Sequence, residues 1–91
     1  MSDTPTMRHI PPAQFGPTLR AARLRARLGL RAVAAACGSS YGYLGMLERG
    51  ERSPSTVMAE DLIRVLKLTG ADAQIVRDSA VALVGRDAVR R

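Results

Sequence analysis

An all-α fold, a compact bundle of about five helices, is what the sequence predicts, on three observations. Aromatic residues are scarce, with no tryptophan, one phenylalanine and two tyrosines in 91 residues. Alanine is abundant, which lets small helices pack closely but leaves too little bulk to fill a wide β-sandwich. Apolar residues also recur at spacings of three and four, in segments separated by glycine or proline. A chain this short makes one domain and buries only about 60–65% of its unfolded surface, so association would add stability.

Residues 1–14 read as a flexible N-terminal arm, with Pro5, Pro11 and Pro12 and no apolar period. Arg8 and His9 lie in it. Residues 15–85 form the domain, and 86–91 a basic tail. The net charge is +6, and thirteen of the fourteen basic residues are arginine. From Arg8 to Arg31, both included, there are six arginines and no acid, whereas the acids lie mainly from Glu48 onward. A basic half suits a polyanion, because neutralising phosphates releases counterions.

Several classes of chemistry are excluded. Cys37 is the sole cysteine and His9 the sole histidine, so neither an internal disulfide nor a zinc site can form. No catalytic triad or carboxylate pair can be assembled around His9. Gly42-x-x-Gly45 falls inside a predicted helix and is no phosphate loop. No enzyme, cofactor or small-molecule substrate is expected. With no apolar run of about eighteen residues and no signal-peptide core, neither a membrane span nor export is expected, and the cytoplasm is the expected location.

The first helix is predicted over 17–27, with Pro17 tolerated in its first turn. Leu19, Ala22, Arg23 and Ala26 share one side. Arg23 falls within that apolar stripe, and an arginine there requires a carboxylate partner. Glu48, at the edge of another inward stripe, is that partner.

Leu28-Gly29 breaks the pattern, and a second helix is predicted over 30–37. Its alanine run has little bulk, as two helices crossing at roughly 100° require. Gly38 supplies the positive φ of a tight turn. Ser39 or Ser40 caps a third helix, which runs to Arg49 and stops at Gly50. Leu44 and Leu47 point inward, Gly42, Gly45, Met46 and Arg49 outward, with Tyr41 and Tyr43 flanking. Two glycines in one helix cost roughly 1 kcal/mol each relative to alanine, which fits close approach to another body.

Pro54 excludes helix at Ser53, and Ser55 is placed to cap a fourth helix with Ala59, Leu62, Ile63 and Leu66 on one face. Gly70 ends it. A fifth helix is predicted over 72–84, with an apolar strip of Ile75, Val76, Ala80, Leu83 and Val84 that suits a dimer contact.

The segment from Leu30 to Ser55 resembles the helix-turn-helix of the Cro/cI-like repressors, the xenobiotic-response-element (XRE) family. The likeness rests on Leu30-Arg31, Val33-Ala34, Gly38, Ser40, Tyr43-Leu44, the run Leu47-Glu48-Arg49-Gly50, Arg52 and Pro54-Ser55. Leu30 stands where relatives commonly carry glutamine.

This resemblance implies a lambda-repressor-like bundle whose third helix enters the major groove of double-stranded DNA, and a homodimer on a pseudo-palindromic operator. It also implies an ion pair at Arg23 and Glu48. The DNA-binding residues expected are Arg31, Ser39, Ser40, Tyr41, Gly42, Tyr43, Gly45, Met46, Arg49 and Arg52. Of these, Arg31, Ser40 and Arg52 suit phosphates, and Tyr41, Tyr43, Met46 and Arg49 suit base edges. The function implied is a sequence-specific transcriptional regulator, a repressor. The alternative is a protein-binding module, such as the DNA-binding antitoxin of a toxin–antitoxin pair or a plasmid or phage accessory protein.

Overall fold

The structure, a computed structural model, describes residues 11–81. Five helices follow one another: α1 Phe15–Arg25, α2 Leu30–Ala36, α3 Tyr41–Glu48, α4 Thr56–Leu66 and α5 Gly70–Asp78. No strand occurs among the described residues, apart from an isolated parallel bridge between Ser55 and Val81. Arg8, His9 and the basic tail 86–91 lie outside the described residues. No helix among the described residues is long and apolar enough to cross a membrane.

The core is aliphatic around one aromatic ring. Phe15, Leu19, Val33, Leu44, Leu47, Leu62 and Val76 are fully buried, and Pro54 closes one side. Packing runs α2 on α3, α1 on α3, α4 on α5, α1 on α5 and α2 on α4. Helix α1 begins two residues earlier than predicted. The Phe15 N–H already donates to the Pro12 carbonyl at 3.0 Å. Pro17 is thus the third helical residue, where an amide has no intrahelical partner in any case. Because the helix stops at Arg25, Ala26 is exposed rather than part of the inward stripe.

Helices α1 to α4 all end in the same hydrogen-bonded corner. The residue just past each reversal reaches back five positions: Leu28 to Arg23 at 3.2 Å, Ser39 to Ala34 at 2.8 Å, Glu51 to Met46 at 2.9 Å and Leu68 to Ile63 at 2.9 Å. The inner bonds run Arg27 to Leu24, Gly38 to Ala35, Gly50 to Leu47 and Lys67 to Arg64. Together these are Schellman motifs, each needing one left-handed residue. That residue is glycine at Gly38 and Gly50, with φ of 66° and 73°, but Arg27 and Lys67 at the other two, with φ of 61° and 56°. The predicted break at Leu28-Gly29 therefore falls at Arg27, and Gly29 instead forms the extended N-cap of α2.

The fifth helix also differs from its predicted span of 72–84. It begins at Gly70 and ends at Asp78. Ser79 Oγ donates to the Ile75 carbonyl at 2.8 Å, and two residues on the Val81 N–H donates to the Pro54 carbonyl at 2.8 Å. Pairing with the loop before α4 draws the chain out of the helix, although its apolar spacing continues past that point. Val76 is buried, Ile75 and Ala80 are half-buried, and Leu83 and Val84 lie outside the described residues.

Candidate nucleic-acid interface

The α2–α3 corner is built from local chemistry. Cys37 donates its N–H to the Val33 carbonyl at 3.0 Å, and the Gly38 reversal brings Ser39 back onto Ala34. Ser40 then adopts an extended conformation, and its Oγ accepts the Tyr43 N–H at 3.2 Å, starting α3. Ser40 is thus the cap, while Ser39 closes the turn and is half-buried.

Behind α3, the Arg23 guanidinium grips the Glu48 carboxylate at both oxygens. Nε donates to Oε2 and Nη2 to Oε1 at 3.0 Å, while Nη1 donates to the Leu28 carbonyl at 3.0 Å. These side chains are 12% and 7% exposed, so little water competes for either charge. The hydrogen bonds donated to Glu48 raise the Arg23 pKa against an opposing desolvation. One arginine thereby ties α1, the α1–α2 corner and the end of α3 together.

Gly16 is a positional residue that sequence reasoning passed over. A Cβ there would fall on the Glu48 carbonyl oxygen and 3.4 Å from the Gly50 nitrogen, so α1 crosses the end of α3 backbone against backbone. A glycine early in a helix was the available signal.

On the outer side, Tyr41 and Gly42 are exposed at the start of α3, and a Cβ on Gly42 would meet nothing within 4 Å. The Arg31 guanidinium lies 4.2 Å from the centre of the Tyr41 ring, a cation–π stack between the first turns of α2 and α3. Tyr43 is half-buried against the core. Burial pushes its phenol pKa up, with the Arg52 charge opposing; Arg52 itself is exposed. Met46 is half-buried.

One expected outward residue is corrected. Gly45 is buried, because the Arg49 side chain lies over it; a Cβ would stand 3.1 Å from Arg49 Nη1. Arg49 itself is exposed and turned to Glu51, with Nε to Oε2 at 2.7 Å and Nη2 to Oε1 at 3.3 Å. Those hydrogen bonds raise the Arg49 pKa and hold the Glu51 carboxyl below its ordinary range. Arg31, Ser40, Tyr41, Gly42, Arg49 and Arg52 are thus each exposed, and Tyr43, Met46 and Ser39 half-buried.

Elsewhere arginines are held by carboxylates: Arg25 by Asp72 at 3.3 Å, Arg64 by Asp61 at 2.6 Å and Arg77 by Glu60 at 2.9 Å. The model of a family described as a helix-turn-helix domain matches residues 14–74, from the N-cap of α1 into α5. No curated protein and no solved structure matches the chain. With that match covering well over half of its length, and α2 and α3 hinged on the Gly38 reversal, the chain belongs to the helix-turn-helix domain family.

Proposed function

We propose that the chain is a sequence-specific regulator of transcription that binds double-stranded DNA, a repressor of the Cro/cI-like kind working as a homodimer in the cytoplasm. It acts by binding and not by catalysis. The observation that carries this reading is the exposed start of α3, where Tyr41 and Gly42 stand open with Arg31 stacked on the Tyr41 ring, and exposed Arg52 follows in the loop after the helix. A helix that enters a major groove needs this arrangement, with a slim leading turn for base edges and cations on its rim for the two phosphate strands.

In this reading Gly42 lets the backbone of α3 approach the bases, and Tyr41 touches thymine methyls or ring edges beside it. Arg31, Ser40 and Arg52 hold phosphates. Arg49, later on the same helix, reaches a guanine or a phosphate, and Met46 gives apolar contact from its half-buried place. Tyr43, equally half-buried, offers only the exposed part of its ring to base edges. Gly45 leaves the set of contacts because Arg49 covers it.

Gel-shift titration on DNA upstream of the coding sequence, against mixed-sequence duplex over a salt series, tests the reading. Tighter binding to the upstream DNA, with two chains per site, is expected. Arg52→Ala should weaken binding to every sequence and lower the salt slope by about one. Equal affinity for both DNAs would overturn sequence-specific regulation.

A further inference from the structure

Arg49, the exposed C-cap of α3, is a cation suited to a polyanion, yet one edge of its guanidinium is already occupied. Its Nε–Nη2 edge grips both oxygens of the Glu51 carboxylate, two residues along and past the Gly50 reversal, while Nη1 lies toward Gly45. The position that permits this is Gly45, one helical turn earlier. A side chain at Gly45 would meet the Arg49 guanidinium and, within 4 Å, nothing else outside its own helix, so the absent Cβ is the space across which Arg49 lies back. The two glycines of α3 therefore differ in purpose: Gly42 opens onto solvent, while Gly45 seats an arginine.

Resting on the DNA-binding reading, we infer that Glu51 is an intramolecular competitor for DNA, holding Arg49 back across Gly45 so that it reaches phosphate or guanine only when the pair opens. A carboxylate presents the same planar pair of oxygens to a guanidinium fork that a phosphate does. The pair is solvent-exposed, with side chains 61% and 50% accessible, so opening it is easy. Its effect is on discrimination: sites that offer Arg49 a well-aligned acceptor displace Glu51, and sites that do not leave the arginine parked.

Fluorescence anisotropy with a labelled mixed-sequence duplex, on the full chain, tests the inference through a double-mutant cycle of Glu51→Gln and Arg49→Gln. Glu51→Gln is expected to tighten binding about two- to fivefold, the range set by an exposed ion pair, and to steepen the salt slope by about one unit. In the Arg49→Gln background the same change should bring little or no gain. A gain that persists undiminished there would overturn the inference, because it would mark Glu51 as a general repulsive charge. Unchanged binding by Glu51→Gln alone overturns it as well. Should neither the wild type nor Glu51→Gln bind duplex at low salt, the DNA-binding reading fails, and this inference with it. Proton-detected titration of Glu51 supplies a readout without DNA: its carboxyl should ionise below the ordinary glutamate range in the wild type and move upward in Arg49→Gln.

Discussion

Arg27 and Lys67 hold left-handed backbone that side chains disfavour by roughly 1–2 kcal/mol, at corners where glycine would rest without strain. Replacing either with glycine should raise stability by about 0.5–1 kcal/mol, read as a higher midpoint in urea with an unchanged slope. The same positions explain why the α1–α2 boundary was misread from sequence. Gly38 and Gly50 announce their corners, whereas an arginine or lysine in that role carries no sign in the sequence. Arg23 is the contrary case, because a charge inside an apolar stripe demands a carboxylate and Glu48 sat at a matching edge. At Cys37 burial raises the thiol pKa, with Asp61 adding to the effect and Arg64 opposing it. Less thiolate is then present at neutral pH, so iodoacetamide should modify Cys37 more slowly in the folded chain than in denaturant, where that difference disappears. For Glu51 and Glu60 the lowered pKa favours the fold above the ordinary carboxylate range, a contribution lost as pH falls through the folded value.

Between elements, two helical glycines give opposite expectations. Gly16→Ala would thrust a methyl onto the Glu48 backbone, which α3 cannot yield without shifting. A loss of about 1–3 kcal/mol is expected, the range for overpacking. Gly45→Ala meets only the flexible end of Arg49, so the gain in helix propensity of about 1 kcal/mol should prevail. Thermal melts of both variants check the pair, and a stable Gly16→Ala would refute the close crossing of α1 and α3. Helix faces were legible where period and bulk agreed, as at Leu44, Leu47, Ala59, Leu62 and Leu66. The end of α5 was not, since Ala80 and Val84 keep helical spacing while the bond from Val81 to Pro54 is set by distant chain. Likewise, nothing in the spacing of α3 distinguishes a glycine facing solvent from one facing a neighbouring side chain.

For the molecule as a whole, carboxylates hold Arg25, Arg64 and Arg77 on the α4 and α5 side, while Arg31 stacks on Tyr41 at the exposed start of α3 and Arg52 is exposed in the loop after it. The all-α class was legible because composition and period agreed, and the corner around Gly38 because glycine, alanine and serine stood at the spacings it requires. Four of the five helices end in bonds that span six residues or fewer. Each such corner can therefore form before the rest of the chain has found its place, which shortens the conformational search. Folding should be a single exponential in the microsecond to millisecond range, as for other chains rich in local contacts. Gly38→Ala, which taxes one corner without touching the core, should slow refolding in stopped-flow or temperature-jump traces more than it hastens unfolding. The reversal that aims α3 outward would then also be an early event in the birth of the fold.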